Sequence, residues 1–241
     1  SPLTADVLRA GLEIGEKTGG ALDITLYAVS QLWDYKSENP QVPDEAAVRA
    51  ALEKSGRGRV CVEGNSVCTG GTQLDLGAIA KGAVGDEVMA CLKEQGVICA
   101  LVNLGGNILT LGEKADGSPW TIAVASPFGE GYAGRIEVGG GKAVATSSGA
   151  QRYFEKDGVV YHHILDPETG YPARSGLASV TVIADDGLTA DALSTALFVA
   201  GEAQAARILE GQYPKVGAVL IRDDGSIRTL GDVCFTEEAG A

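Results

Sequence analysis

The stretch YHHILDPETGYP, at 161–172, contains the only two histidines of the 241-residue chain, His162 and His163. The pKa of histidine lies near neutral pH, so its ring can take a proton from a reacting group. The residues from Val159 to Leu165 have a strand pattern that runs into an Asp-Pro-Glu-Thr-Gly turn, and adjacent strand residues point to opposite faces. We therefore expect the two histidines to have different roles, which argues against a metal site that uses both. On spacing alone, one core histidine and one surface histidine is the simpler interpretation.

A second stretch, ADALSTAL at 190–197, combines a carboxylate with hydroxyls. Asp191 and Thr195 are four residues apart and therefore share one helix face, and Ser194 lies next to that face. Carboxylate and hydroxyl oxygens are hard donors, which suit magnesium better than zinc. The structural alternative is that Asp191 complements the helix dipole while Thr195 bonds back to a carbonyl or packs in the core.

The third stretch is LDLGAIAKGAVGDEV at 74–88, which predicts an apolar strand ending at Asp75, a glycine turn and a helix. The first N–H groups of a helix are free and lie at its positive end, which favours a bound phosphate, and Lys81 would add a charge there. Alternatively, Asp75 is an N-cap and Lys81 is a solvated side chain. Because a lysine near a positive helix end is mildly unfavourable, an anionic partner is worth considering.

The elements that must position these residues are predicted by periodicity. Helical spacing covers 4–17, 44–54, 77–95, 190–200 and 202–210, and short β-type runs fill about 97–183. The run VGAVLI is expected to be the last strand. Strands therefore cluster in the middle with helices on either side, which is the α+β class. No low-complexity linker divides the chain, so we predict one domain over 1–241.

Charge and cysteine content narrow the function classes. A net charge of −13 without a basic cluster argues against nucleic-acid binding, and no apolar run approaches the roughly 20 residues that span a bilayer. The five cysteines include no CxxC pair, which argues against zinc. If Gly64-Asn65 is a two-residue turn, Cys61 and Cys68 lie opposite each other on a hairpin. They could pair in an oxidising compartment, but we expect two small buried hydrophobes.

Taken together, the motifs resemble the FAD:protein FMN transferase family, known as ApbE. Five blocks occur in the family's order: TGGALDIT (18–25) with LW (32–33), DLGAIAKG (75–82), LVNLGGNI (101–108), HHILDPETGYP (162–172) and SVTVIADDGLTADALSTALFVAG (179–201). The resemblance implies an ApbE-like α+β fold with central, mostly antiparallel β-structure flanked by helices. It also implies magnesium-dependent transfer of FMN from FAD to a Ser or Thr hydroxyl of an acceptor flavoprotein, with release of AMP.

The resemblance assigns the metal site and the catalytic residue. It implies that the side chains of Asp191 and Thr195 bind magnesium together with the backbone carbonyl of Ala78. Ser194 stands where some members have a third metal-facing Asp. His163 matches the reactive histidine of the family, and a base there would activate the acceptor hydroxyl.

The resemblance also assigns contacts to FAD. Asp75 and Lys81 match positions that contact FAD, and Leu165 matches an apolar contact on the flavin side. The loop near the adenosine half of FAD corresponds to three consecutive residues, Ala21, Leu22 and Asp23.

Members of the family usually begin with a Met-Gly-Thr strand and a Ser-x-Ile-Ser-x-Leu-Asn segment, and both are absent here. We therefore expect an N-terminally truncated member, and the resemblance implies an extracytoplasmic location, periplasmic or as a cell-membrane lipoprotein, with the cytoplasm as the alternative. A lipid anchor on a lost leader would be the only link to a membrane. Two other functions stay open, an FAD pyrophosphatase that gives FMN and AMP, and a non-catalytic flavin-binding protein.

Overall fold

The computed structural model describes residues 1–238 of the chain. Its helices α1 to α6 are Pro2–Lys17, Tyr27–Trp33, Glu45–Leu52, Ala80–Glu94, Gly187–Ala200 and Glu202–Gln212. Its strands β1 to β13 are Cys61–Glu63, Ser66–Cys68, Ala100–Leu104, Asn107–Leu111, Trp120–Ala125, Tyr132–Val138, Ala143–Ser148, Tyr153–Lys156, Val159–His162, Leu177–Ala184, Gly217–Arg222, Ile227–Leu230 and Cys234–Glu237. Within this described part, no helix is both long and apolar enough to cross a bilayer.

The centre of the fold is a six-stranded sheet in the order β12-β11-β10-β7-β4-β3, with every neighbouring pair antiparallel. A three-stranded sheet, β13-β6-β5, and two hairpins, β1–β2 and β8–β9, complete the β-structure. The predicted α+β class, with mostly antiparallel strands and flanking helices, is therefore confirmed.

The six-stranded sheet separates two hydrophobic cores, as strand alternation requires. On β7, Ala143 and Ala145 face the larger core with the helices, whereas Val144 faces the three-stranded sheet. Helix α5 is apolar on nearly all sides and lies buried in the larger core, so its buried polar residues, Asp191 and Ser194, are exceptions that call for a reason.

A third cluster packs the β8–β9 hairpin against α2. Trp33 is fully buried there, and its indole N–H donates to the carbonyl of Gly170 at 2.9 Å. Four aromatic rings surround it: Tyr35, Phe154, Tyr161 and Tyr171. This packing fixes the segment that follows His162, where β9 ends.

Three local predictions are wrong, and the strand predicted from Val159 to Leu165 ends early, at His162. The residues before Asp75 form no strand; Leu74 and Leu76 pack at the edge of the larger core as irregular chain between glycine turns. VGAVLI forms β11 but is not the last strand, because the turn after it leads into β12 and then β13.

The third wrong prediction concerns the cysteines. The hairpin places Cys61 opposite Cys68 as expected, but both are exposed. Only Val62, on the other face of the hairpin, reaches the larger core. The thiols therefore face solvent.

Candidate active site

The site forms where α4 and α5 cap each other. Asp191 of α5 is 4% exposed, and its Oδ2 accepts the Gly82 N–H of α4 at 3.0 Å. In return, Asp86 of α4 accepts the N–H groups of Gly187 and Leu188 at 2.6 and 2.9 Å. Each carboxylate thus meets the positive end of the other helix. Burial raises the pKa of Asp86 from its ordinary value despite these two hydrogen bonds.

Lys81 joins the same carboxylate from the first turn of α4. Its Nζ lies 3.3 Å from Asp191 Oδ1, and its side chain is 48% exposed. An ion pair with one partner this exposed adds little to stability, because water screens it. The arrangement is better suited to function, since the ammonium can leave the carboxylate for an incoming anion.

Hydroxyls continue the site along α5 and β7. Ser194 Oγ donates to the carbonyl of Asp191 at 2.8 Å, and Ser147 Oγ lies 2.8 Å from Ser194 Oγ and 3.0 Å from Thr195 Oγ1. A hydroxyl has one proton, so Ser147 donates to Ser194, and Thr195 in turn donates to Ser147. The lone pairs of Thr195 remain available, whereas Ser194 is 1% exposed and bonded within the protein. The metal role of Ser194 stays a prediction.

The turn before α4 carries Asp75 and Ala78. Asp75 Oδ1 accepts the Gly77 N–H at 2.9 Å and Oδ2 accepts from Ser30 Oγ at 3.2 Å. Asp75 therefore braces the turn and is not the N-cap, a position that Ile79 occupies. Among residues 1–238, no backbone N–H donates to the carbonyl of Ala78, so this oxygen can serve as a ligand.

The 21–23 loop lies beside that turn, because the Asp75 N–H donates to the Ile24 carbonyl at 2.7 Å. Asp23 Oδ1 accepts both the N–H and the hydroxyl of Thr25, at 2.8 and 2.6 Å. Leu22 is buried in the larger core, and its carbonyl accepts from Arg57 at 3.0 Å. Ala21 beside it is half-buried.

His163 lies just past the end of β9 and is half-buried. Its Nδ1 is 3.2 Å from the Arg152 carbonyl and must carry the proton to donate there, which leaves Nε2 as an acceptor. Burial lowers the pKa of His163 from its ordinary value, and the nearby charges of Arg152 and Lys81 lower it further. The ring is therefore neutral at neutral pH, and it lies within electrostatic reach of Lys81.

His162 has a different environment, as predicted. It is 7% exposed, its Nε2 bonds the Ala173 carbonyl at 3.0 Å, and its ring meets Phe198 edge-on. Burial lowers its pKa to about 4. Three residues further along the chain, Leu165 is buried in the aromatic cluster, and its proposed contact with flavin stays a prediction.

The residues predicted to bind magnesium have donors of the type that it prefers. These are the Asp191 carboxylate, the Thr195 hydroxyl and the Ala78 carbonyl, which are all oxygens. Within residues 1–238 no group of three His, Cys, Asp or Glu side chains could hold a metal alone. A single carboxylate completed by neutral oxygens and ligand phosphates is a usual magnesium arrangement.

The structure brings most of the predicted residues together. The 21–23 loop lies beside Asp75, the turn from Asp75 through Ala78 leads to Lys81, and Lys81 contacts Asp191 on the helix that also carries Thr195. His163 lies within electrostatic reach of Lys81. Their roles remain predictions. No motif in the sequence indicated Ser147, or Arg57, which donates to the Leu22 carbonyl in the 21–23 loop. Both act through partners distant in the chain, and only a known contact map could have identified them.

The fold and the site together define a class: an α+β protein whose oxygen-rich site lies where two mutually capping helices meet a histidine loop. A sequence profile described as the ApbE family matches residues 1–220. The chain belongs to the ApbE family.

Relatives and solved structures agree with this assignment. The chain is 36% identical over 240 residues to the FAD:protein FMN transferase of Treponema pallidum, covering 92% of this chain and 66% of that protein. It is 41% identical over 188 residues to one from Klebsiella pneumoniae, covering 75% and 57%. The chain thus spans two thirds or less of these relatives' length.

Two solved structures have the same fold. The ApbE protein of Thermotoga maritima superposes with a TM-score of 0.86 at 36% identity, over 95% of this chain and 76% of that one. The flavin transferase ApbE of Vibrio cholerae gives a TM-score of 0.82 at 33% identity, over 95% and 75%.

Proposed function

We propose that this protein transfers the FMN part of FAD to a Ser or Thr hydroxyl of an acceptor flavoprotein and releases AMP. The names of its relatives, FAD:protein FMN transferase, support this function. The observation that carries it is the neutral His163 ring, whose Nδ1 is bonded to the Arg152 carbonyl and whose Nε2 can accept a proton, within electrostatic reach of Lys81, which pairs with Asp191.

In this transfer, the acceptor oxygen forms a bond to the phosphorus of the FMN half of FAD. The bond from that phosphorus to the bridging oxygen of the pyrophosphate breaks, and AMP leaves with the bridging oxygen. The hydroxyl proton passes to Nε2 of His163, while Nδ1 stays bonded to the Arg152 carbonyl and keeps the ring oriented. Because the pKa of His163 is lowered, the base is ready at neutral pH.

Residues of the chain itself would neutralise negative charge at the breaking bond. Lys81 is free to turn its ammonium from Asp191 to a phosphate oxygen, at a helix end that already favours an anion. Asp191, Thr195 and the Ala78 carbonyl would hold magnesium. When bound there, magnesium neutralises negative charge on the pyrophosphate oxygens.

The test is to incubate the purified chain with FAD, magnesium and an acceptor flavoprotein domain, and to measure the intact mass of the acceptor and the AMP released. Transfer predicts an acceptor heavier by one FMN less water, with one AMP released per acceptor modified. FMN and AMP without a change in acceptor mass would instead indicate an FAD pyrophosphatase. FAD binding with no AMP in magnesium would indicate a flavin-binding protein.

A further inference from the structure

One buried amide near the site has no hydrogen-bond partner. Asn107 begins β4 and is 4% exposed, and its side-chain nitrogen finds no acceptor among residues 1–238. An amide nitrogen offers two protons, and leaving a buried donor unpaired destabilises the folded protein. Such a group in a native fold calls for a partner that the chain itself does not supply.

The sheet register shows which face the amide occupies. Ile108 pairs with Val144, and Leu109 pairs with Ala143. Leu109 lies in the larger core, and its side chain reaches the positions where a Cβ on Gly85 of α4 or on Gly187 of α5 would lie. Asn107 is two residues from Leu109 and therefore shares its face, toward the two helices.

The same register gives the level of Asn107 along α5. Leu109 of β4 lies against Gly187, at the start of α5, and Ser147 of β7 lies against Thr195 further along that helix. Continuing the pairing places Asn107 beside Ala145, between these two levels. Asp191 lies between them on α5, so the amide lies at the level of Asp191, where α4 begins.

We propose that Asn107 is a ligand-binding residue of this site, whose side-chain amide donates to a phosphate oxygen of the bound dinucleotide. This rests on the proposed function, in which FAD is the ligand. The groups around Asp191 favour such an acceptor, because the Lys81 ammonium and the positive end of α4 attract an anion there, at the level along α5 where the register places Asn107. The anion would supply the acceptor that the ligand-free fold lacks.

The test compares Asn107→Leu, which has similar volume without donors, with Asn107→Ala, which avoids any clash. The melting temperature is measured without ligand, and FAD affinity is measured by titration in magnesium. We expect the Leu variant to melt at or above the wild-type temperature without ligand, because an unpaired donor has been removed. We expect FAD affinity to fall at least tenfold in both variants.

Asn103 provides the matched control, since its exposed side chain already accepts the Gly106 N–H at 2.9 Å in the same hairpin. Asn103→Ala should keep FAD affinity. Unchanged FAD affinity in both Asn107 variants would overturn this inference and leave the proposed function standing. So would a lower ligand-free melting temperature in both variants if their FAD affinity fell no further than that of Asn103→Ala. Wild-type protein that binds FAD but transfers no FMN would overturn the proposed function and leave this test valid. Wild-type protein that does not bind FAD would overturn both.

Discussion

His162 couples the stability of the protein to pH. In the folded state burial lowers its pKa to about 4, whereas the pKa of an unfolded histidine is about 6.5. Below pH 6.5 the unfolded chain takes up a proton that the folded chain refuses until about pH 4, so this histidine makes stability fall as pH falls through that window. Above pH 6.5 both states are neutral and the contribution is constant.

His162→Gln should remove this dependence, because the Gln amide can still donate to the Ala173 carbonyl but does not titrate. We would measure melting temperatures of both proteins between pH 4 and pH 7. As pH falls below 6.5, the melting temperature of the variant should rise relative to that of the wild type. Parallel curves would show that His162 is not held neutral by burial.

At the residue scale, the sequence predicted which residues belong to the site better than it predicted the groups that they bond. The four-residue spacing of Asp191 and Thr195 correctly placed both on one helix face, because that spacing is local geometry. The groups they bond, Gly82 and Ser147, lie 109 and 48 residues away in the chain. Such partners depend on how α4, α5 and β7 pack, which no local pattern encodes.

At the scale of elements, the crossing of α4 and α5 depends on two glycines. A Cβ on Gly82 would lie 2.1 Å from the carbonyl oxygen of Gly187, and one on Gly187 would lie 2.5 Å from the carbonyl oxygen of Gly82. Backbone atoms cannot move aside as a flexible side chain can. The contact therefore sets the helix separation that lets Asp191 reach the first turn of α4.

Gly82→Ala should lower the free energy of unfolding by about 1–3 kcal/mol, the usual cost of overpacking, and should also reduce transfer activity. Gly211→Ala is the matched control, since this helical glycine has nothing within 4 Å of a new Cβ. That variant should be neutral or more stable by up to about 1 kcal/mol. Equal stability of the two variants in a denaturant titration would contradict a close helix contact.

The β1–β2 hairpin offers a second prediction at this scale. Cys61 and Cys68 are Cα partners across it and both are exposed. Directly opposed residues of an antiparallel pair have Cα atoms about 4.5–5.5 Å apart, within the range that a disulfide spans. Oxidised glutathione should therefore convert the two thiols to a disulfide while it is reduced to two glutathione thiols.

Intact mass after thiol blocking measures this reaction. The wild type should lose two blockable thiols and regain both on reduction, and Cys68→Ser should leave Cys61 free or bound to one glutathione. Retention of five blockable thiols after oxidation would contradict the pairing.

At the scale of the whole molecule, the sequence predicted the class but not the arrangement. Helical periodicity was enough for five of the helices, because that signal is local. The order of the six-stranded sheet places β10 between β7 and β11, and depends on pairings over long separations in the chain. The residues of the site, from the 21–23 loop to His163, come together only in that arrangement. The sequence motifs could therefore identify these residues without showing which of them are neighbours.

The proposed function is FMN transfer at this site with His163 as the base. The most direct measurement is the intact mass of an acceptor domain after incubation with FAD and magnesium, comparing wild type with His163→Ala, and with His162→Gln as the folded control. The wild type should add one FMN to the acceptor, and His163→Ala should slow that addition by about 10² or more. His162→Gln should lose far less. An unmodified acceptor with the wild type, or equal rates for wild type and His163→Ala, would contradict the account.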